Sequence, residues 1–308
     1  MIAVVINRKS GRGLAKKLIS KINAVAHHDE TISVIDENSA EKSSAKLSEF
    51  ILHSQSLPKF EYLKVVAVGG DGLVNLCIQE TQKSDSASAA LAVYPAGTGN
   101  DFANTNNQRE LEISRLLKKS SNFEDIDLGV VSKVGSDFKR YFGQVLSTGF
   151  DALVNERANS FRIVKGKIKY TIATLMELLK FKPLSYRLVL DGKVVETDAM
   201  LVSVANGNCY GGGMQIVPHA KNSDGLLDLM VLKPVSKIEL LKVFPKVFKG
   251  KHITHPAVSF YTAKEILIDC EGAETRKVYA DGEYFCLLPV EISIKPKALK
   301  IAVNNNNS

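Results

Sequence analysis

Tryptophan is absent from the 308-residue chain, and only 7% of its residues are aromatic. Proteins that bind single-stranded nucleic acid stack its bases on aromatic side chains, so this composition disfavours a large stacking surface for single-stranded nucleic acid. Apolar runs are short, and none reaches the roughly 20 residues that a membrane-spanning helix needs. The run Ile2–Ile6 is also too short for the apolar core of a signal peptide. We therefore expect no transmembrane segment and a cytoplasmic protein.

Metal-binding patterns of cysteine and histidine are missing as well. The four cysteines form no close pairs, and the six histidines show no zinc-site spacing. We interpret the cysteines as reduced and mostly buried, which also favours the cytoplasm. Lys and Arg total 40 against 33 Asp and Glu. This excess of positive charge indicates anionic partners, which could be nucleotides, nucleic acid or acidic lipid surfaces.

Strand-like and helix-like patterns alternate through the first third of the chain. This alternation predicts an α/β domain in which a parallel sheet has helices on both faces. The predicted strands are Ile2–Ile6, Thr31–Ile35, Val65–Val68 and Leu91–Val93. One predicted helix begins near Leu14, a second covers Glu41–Leu52, and a third extends from about Leu73 to Glu80.

After about residue 120 the pattern becomes that of an antiparallel, sandwich-like β-rich domain. The predicted strands are Phe138–Ser147, Ser185–Leu190, Val194–Val204, Leu226–Leu232 and Lys264–Asp269, and the predicted helices are Arg157–Lys180 and Ser236–Phe248. We place the first domain at 1–126, completed by 289–303, and the second at 127–288. The low-complexity tail 304–308 is predicted to be disordered.

Three polar, glycine-rich turns each follow a predicted parallel strand and precede a helix. They are Asn7–Gly13, Gly69–Gly72 and Gly97–Asp101. Such turns gather at the carboxyl ends of parallel strands, where glycine lets the backbone approach a phosphate closely. An Asp between glycines, as at Asp71, can bind the Mg²⁺ of a nucleotide or can simply cap a helix. Neither a P-loop nor a complete dinucleotide fingerprint is present.

The motifs around these turns resemble those of the diacylglycerol kinase catalytic domain family, which includes bacterial lipid kinases and sphingosine kinases. The matching segments, in family order, are Asn7–Gly11, Val66–Asn75, Pro95–Phe102, Asp127–Gly129, Gly149–Ala152, Asn206–Asp228 and Asp281–Glu283. Two positions depart from the family pattern, since Leu73 and Leu76 replace its usual Thr and Glu. Arg8 also replaces the usual Pro of the first turn and could add a donor to a phosphate.

The resemblance implies an ATP-dependent and Mg²⁺-dependent lipid kinase whose first domain binds the nucleotide and whose second takes the lipid. The implied ATP contacts are Asn7, Ser10, Gly11, Ser39, Gly69, Gly70, Asp71, Gly72, Leu73, Val74, Asn75 and Thr98. A structural Mg²⁺ is implied at the backbone carbonyls of Lys221 and Leu226 and the carboxylate of Asp224. The implied catalytic carboxylates are Glu283, Asp281, Asp71 and Asp127.

The pair Asp281–Gly282 also has a simpler interpretation. Asp191–Gly192 has the same local pattern between two β-rich stretches, and both pairs are typical of tight hairpin turns. Only the resemblance raises Asp281 and Glu283 to an acid–base site for the lipid hydroxyl. We favour Glu283 as the base and Asp281 as the residue that orients it or the metal, although the sequence does not fix their order.

Two lysine-rich stretches, 157–182 and 237–252, interleave basic and apolar residues. Each could lie on an anionic membrane or could pack on the core with its lysines in solvent. Taken together, the sequence predicts a lipid kinase acting on diacylglycerol or another lipid alcohol, peripheral on the inner membrane face, with a homodimer left open. The alternatives are an NAD kinase-like enzyme with a soluble acceptor, and a nucleotide- or lipid-sensing protein with weakened catalysis.

Overall fold

The computed structural model describes residues 1–57, 63–83, 89–108, 112–118, 122–149 and 182–303, with a few positions between 153 and 177. Most of the predicted helix 157–180, the motif residues 150–152 and the tail 304–308 lie outside the described residues. The chain divides into two compact units. The first unit comprises Met1–Ile126 and the segment from Lys297, and the second comprises Asp127–Pro296.

The first unit is built on a parallel sheet with the strand order β2-β1-β3-β4. Its strands are β1 (Ile2–Ile6), β2 (Ile32–Ile35), β3 (Leu63–Gly69) and β4 (Ala89–Pro95). Its helices are α1 (Leu14–His27), α2 (Ala40–Gln55), α3 (Asp71–Lys83), α4 (Asp101–Thr105) and α5 (Ile113–Leu116). Every residue of β1 and β3 is buried, as expected for parallel strands that are covered on both faces. The predicted α/β architecture is confirmed.

The second unit is an antiparallel sandwich with one six-stranded sheet in the order β12-β11-β10-β7-β14-β15. The strands from β5 to β10 are β5 (Phe123–Lys133), β6 (Lys139–Phe142), β7 (Val145–Gly149), β8 (Leu184–Leu190), β9 (Lys193–Ala199) and β10 (Leu201–Ala205). The others are β11 (Leu227–Leu232), β12 (Val258–Ala263), β13 (Glu265–Cys270), β14 (Lys277–Ala280), β15 (Glu283–Leu287) and β16 (Val290–Ala302). Helix α6 covers Lys237–Val247.

The second layer of the sandwich pairs β16 with β13, β13 with β8, and β8 with β9, all antiparallel. Apolar side chains from both layers form one buried core, as Leu188 and Ile268 of this layer pack with Val202, Leu229 and Val278 of the other. The predicted β-rich, sandwich-like domain is therefore confirmed.

Two predicted strands are wrong in extent, because each is two strands in the structure. The run Phe138–Ser147 is interrupted at Gly143–Gln144, between β6 and β7. The run Val194–Val204 is interrupted at Met200, where the chain passes from β9 in one sheet to β10 in the other. A continuous β-branched run contains no signal for such a change of sheet.

The return of the chain to the first unit occurs at Lys297 rather than at 289. Strand β16 is long because it serves both units. Its first residues, Val290–Ser293, pair with β13, whereas only Lys300 and Ile301 pair with β4. All four cysteines are free, and three of them are buried, as the composition predicts.

Candidate active site

The three glycine-rich turns of the first unit lie against one another through their backbones. A Cβ atom on Gly97 would lie 2.5 Å from the Cα of Gly70, and one on Gly11 would lie 2.3 Å from the carbonyl oxygen of Ala96. Neither position has room for a side chain. The backbone N–H of Ala96 also donates to the carbonyl of Gly69 at 2.8 Å. These contacts explain why glycine is needed here, and they bring all three turns together at the carboxyl ends of β1, β3 and β4.

Asp71 joins two of these turns. It begins helix α3, and its carboxylate accepts the backbone N–H groups of Asn100 at 2.8 Å and Phe102 at 3.2 Å. Asn100 has a left-handed backbone, with φ of 59°, and its side-chain Oδ1 accepts the N–H of Gly97 at 2.8 Å. Sequence reasoning did not single out Asn100 for this role, although Asn is among the few non-glycine residues that adopt this conformation readily.

The other expected ATP contacts differ in exposure. Gly72 and Thr98 are exposed at the turns, so both are available to a ligand. In contrast, the side chains of Leu73, Val74 and Asn75 are buried in α3, and only their backbones could face a nucleotide. The remaining expected contacts, Asn7, Ser10 and Ser39, lie in turns or at a helix start.

Asn7 and Ser39 both have local structural partners. The backbone N–H of Asn7 donates to Val68 at 3.1 Å, and its side-chain Oδ1 accepts the N–H of Lys9 at 3.0 Å. Ser39 caps α2, since its hydroxyl accepts the N–H of Lys42. Their structural roles therefore suffice to explain their residue types without a ligand.

Arg8 forms an ion pair within the unit. Its Nε lies 2.7 Å from one carboxylate oxygen of Asp36, just after β2, and 2.8 Å from the other. The carboxylate raises the pKa of Arg8, through the hydrogen bond and then through its charge. The guanidinium therefore already has an anionic partner in this structure.

In the second unit, the carboxylate of Asp281 is surrounded by backbone donors. It accepts the N–H groups of Gly143 at 2.9 Å, Gln144 at 2.9 Å and Val145 at 3.1 Å. Gly143 and Gln144 form the interruption between β6 and β7, and Val145 begins β7, so Asp281 accepts the backbone donors where the strand is interrupted. A carboxylate has about four acceptor positions, and three of those on Asp281 are engaged by backbone.

The turn at Asp191 provides a close structural match. Asp191 and Asp281 have left-handed φ angles of 46° and 49°, and each is followed by a glycine with positive φ. The carboxylate of Asp191 accepts the N–H groups of Lys264 and Glu265 through one oxygen, Oδ1. Asp281 uses Oδ1 in the same way but adds a third bond through Oδ2. Both residues lie in hairpin turns, as the local sequence predicts.

Glu283 differs from Asp281 in exposure. It is the first residue of β15, and its side chain is exposed. No hydrogen bond or ion pair of its carboxylate is found among the described residues. Within this hairpin, Asp281 is thus held by the backbone while Glu283 is open to solvent.

Asp127 fixes the loop that carries the expected metal ligands. Its carboxylate accepts the N–H of Gly225 at 2.7 Å, and its own N–H donates to the carbonyl of Asn222 at 2.7 Å. Asp224, in the same loop, is exposed and accepts the N–H of Leu226 through Oδ1 at 3.1 Å.

One carboxylate and two backbone carbonyls form an oxygen-only donor set, which suits a Mg²⁺ ion that keeps several waters. Asp224 and the carbonyls of Lys221 and Leu226 therefore fit the expected ion in donor chemistry. No group of three or more His, Cys, Asp or Glu side chains that could hold a metal occurs in the described part of the chain.

Asn206 links the segment of Asp127 to that of Gly143 in the second unit. It was not identified as a site residue from the sequence. Its buried side-chain Nδ2 donates to the carbonyl of Asp127 at 2.9 Å and to that of Gly143 at 3.0 Å. Hydrogen bonds thus connect the loop around Asp224 with the hairpin of Asp281. The signal was its place at the start of the Asn-Gly motif.

Both parts of the chain match known domains. Residues 1–131 match the diacylglycerol kinase catalytic domain, and residues 144–303 match the YegS C-terminal NAD kinase beta sandwich-like domain. The chain is 40% identical over 245 residues to a diacylglycerol kinase of Mycobacterium tuberculosis (strain ATCC 25618 / H37Rv), covering 77% of this chain and 75% of that protein. It is 27% identical over 303 residues to the diacylglycerol kinase of Bacillus subtilis (strain 168), covering 94% and 91%.

The fold is also that of a solved structure. A diacylglycerol kinase from Bacillus anthracis superposes with a TM-score of 0.73 at 23% identity, covering 99% of this chain and 97% of that one. The chain therefore belongs to the diacylglycerol kinase catalytic domain family and is a kinase that phosphorylates an alcohol group. No helix in the described ranges is long and apolar enough to span a bilayer.

Proposed function

We propose that the protein transfers the γ-phosphoryl group of ATP to a hydroxyl of a membrane lipid, with diacylglycerol as the first candidate acceptor. The observation that carries this proposal is the backbone contact among the three glycine turns of the first unit. Phosphoryl transfer depends mostly on positioning and charge stabilisation, which such a group of turns can supply. The names of the relatives support diacylglycerol as the acceptor.

The nucleotide phosphates would bind at the start of α3, because the N-terminus of a helix favours an anion. Gly72 and Thr98 are the exposed members of this surface. Asp71 would face the Mg²⁺ of the nucleotide while its two backbone hydrogen bonds keep the turns together. When bound, Mg²⁺ supplies charge neutralisation at the phosphates.

The acceptor hydroxyl would lose its proton to Glu283, with Asp281 as a positioning residue. Support comes from exposure: the Glu283 carboxylate is open, whereas Asp281 is engaged by three backbone donors. A general base must come within hydrogen-bond reach of the hydroxyl, and an exposed carboxylate can do so. Asp127 would act indirectly, because it holds the loop of Lys221, Asp224 and Leu226 in place.

A cytoplasmic location with peripheral binding to the inner membrane face belongs to the same proposal, since the acceptor lies in a bilayer. The test is incubation with γ-labelled ATP, Mg²⁺ and a mixed-lipid extract, followed by identification of any labelled lipid. Labelling of NAD in place of lipid would favour a soluble acceptor. ATP binding without transfer would favour the sensing alternative.

A further inference from the structure

Helix α6 has two apolar stripes, of which one is buried in the second unit and the other is partly exposed to solvent. Leu240, Val243 and Val247 are buried in the second unit and account for the core-facing stripe. This face confirms that the stretch packs on the core. A helix on a core needs one such stripe, so a second one calls for its own explanation.

The second stripe, which we call the α6 outer stripe, consists of Ile238, Leu241 and Phe248. Their side chains are 68%, 43% and 40% exposed. The spacing of three and seven residues places Ile238, Leu241 and Phe248, the C-cap residue directly after α6, on one side of the helix. Ile253, in the turn that follows, is also 41% exposed. Scattered exposed apolar residues are normal, but a contiguous group indicates an interaction surface.

Lysines border this stripe. Five lysines and one glutamate occur between residues 237 and 251. The glutamate, Glu239, is engaged by the Nε2 atom of His255 at 3.0 Å. Lys242, Lys246 and Lys249 are exposed, and none forms an ion pair with a residue that the structure describes. An apolar stripe edged by unpaired positive charge complements the interface of an anionic bilayer.

We propose that the α6 outer stripe and its three lysines dock the protein on an anionic phospholipid bilayer. This inference rests on the proposed function, because a kinase whose acceptor is a membrane lipid must reach the bilayer surface. The apolar side chains would enter the headgroup region while the lysines contact anionic headgroups. The docking surface shares no residue with the glycine turns or with the hairpin of Asp281.

The absence of tryptophan allows a direct test, because a single introduced Trp gives the only Trp emission of the full-length chain. We expect the emission of Phe248→Trp to shift to the blue with vesicles of phosphatidylcholine and phosphatidylglycerol in equal parts, but not with phosphatidylcholine alone. Leu52→Trp is the matched control, since Leu52 is 62% exposed on α2. Its emission should stay unchanged with either vesicle.

A second test of the docking surface removes its positive charge. Replacing Lys242, Lys246 and Lys249 by Gln should lower partitioning onto anionic vesicles at least about tenfold, since each lysine near such a surface contributes substantially to binding. The control replaces Lys17 and Lys21 by Gln. These lysines are exposed on α1 and do not belong to the proposed docking surface, so partitioning onto anionic vesicles should change less than about twofold. Melting temperatures should stay at the wild-type value.

Three results would overturn the docking surface. They are equal binding to neutral and anionic vesicles, an unshifted Phe248→Trp emission on bound protein, and a lipid-free dimer that Leu241→Gln makes monomeric without changing vesicle binding. The kinase reaction is tested separately, with diacylglycerol in uncharged detergent micelles. There the lysine variant should match the wild type. If the wild type is inactive in micelles while the Phe248→Trp emission shifts on anionic vesicles, the proposed acceptor is rejected and the docking surface is supported.

Discussion

At the residue scale, the pair Asp191 and Asp281 shows how one turn can be used in two ways. Both residues adopt the left-handed conformation and accept N–H groups of a neighbouring strand. They differ in the third bond of Asp281, to Gly143, and in the exposed glutamate that follows it. The comparison of these two turns thus identifies Asp281 as a turn residue. We therefore assign the proposed role of general base to Glu283.

This difference gives a prediction for conservative variants. Glu283→Gln should lower kcat by at least about a hundredfold, the usual scale for loss of a general base, without lowering the melting temperature. Asp191→Asn should be mild, because an amide oxygen can still accept both N–H groups. Asp281→Asn places an amide NH₂ against the N–H of Gly143, so it should cost about 1–3 kcal/mol of folding stability.

The pH–rate profile separates the two roles further. As a positioning residue, Asp281 can be replaced by Asn with a lower kcat but with the wild-type pH dependence. Glu283→Gln should remove the acid limb of the profile. A folded Asp281→Asn protein without activity, beside a fully active Glu283→Gln protein, would reverse the assignment.

Asp71 combines a proposed metal role with an observed structural one. Asp71→Asn keeps one oxygen for a backbone N–H but sets its NH₂ against the other, so it should lose most activity and about 1–3 kcal/mol of stability while remaining folded. Asp71→Ala leaves the N–H groups of Asn100 and Phe102 without their acceptor, so it should also lose about 1–3 kcal/mol of stability. The control is Asp125→Ala, which removes a surface ion pair to Lys300. Full turnover of Asp71→Asn at saturating Mg²⁺ and ATP would exclude the metal role.

At the element scale, helices α2 and α3 are joined by a buried carboxylate. Glu80 on α3 is 3% exposed and accepts the hydroxyls of Ser44, at 2.6 Å, and Ser48 on α2. Lys83 donates to it at 2.6 Å. Burial works to raise the pKa of Glu80, but the Lys83 ammonium and the two hydroxyls outweigh it and hold the pKa below its usual value.

A lowered pKa makes the stability from Glu80 dependent on pH. The contribution is complete above the unfolded pKa of about 4.3 and is lost as pH falls through the folded value. Glu80→Gln should therefore lower the unfolding free energy near pH 7 by about 1–3 kcal/mol. Denaturant titrations should show this gap closing at acid pH. The exposed Glu49→Gln on α2 should show almost no gap, and a pH-independent gap for Glu80→Gln would contradict this account.

Elements with strong periodicity could be predicted from the sequence, whereas those that depend on distant partners could not. Strand β3 was predicted to begin at Val65, yet it begins at Leu63 and includes Lys64. That lysine is fully buried, its Nζ donates to the carbonyl of Lys118, and burial lowers its pKa to about 8. Lysine is rarely found inside a sheet, so the local sequence argued against it.

The candidate site divides in the same way. The glycine turns could be located because each follows a buried strand, and parallel strands bring their ends together. The bonds of Asp281 to Gly143–Val145 could not, since they depend on an interruption between β6 and β7 that the β-branched pattern hides. The role of Asn206 could not be predicted for a similar reason, because its hydrogen-bond partners Asp127 and Gly143 are far away in sequence.

At the scale of the whole molecule, the two units contribute different parts of the proposed reaction. The first contains the glycine turns, and the second contains Glu283, the loop of Asp224 and the α6 outer stripe. The lysine-rich stretch of helix α6 was interpreted either as packing on the core or as lying on an anionic membrane, and the helix has a surface suited to each. One stripe packs on the core, and the other remains exposed among lysines.

The central claim is that this chain phosphorylates a lipid hydroxyl with ATP. The most direct measurement is the transfer of labelled γ-phosphate to diacylglycerol in mixed micelles with Mg²⁺, with the product identified as phosphatidic acid by mass. The account predicts labelled phosphatidic acid from the wild type and from Asp191→Asn, and at least about a hundredfold less from Glu283→Gln. No labelled product from a folded, ATP-binding wild type, with diacylglycerol or with any other lipid alcohol, would contradict it.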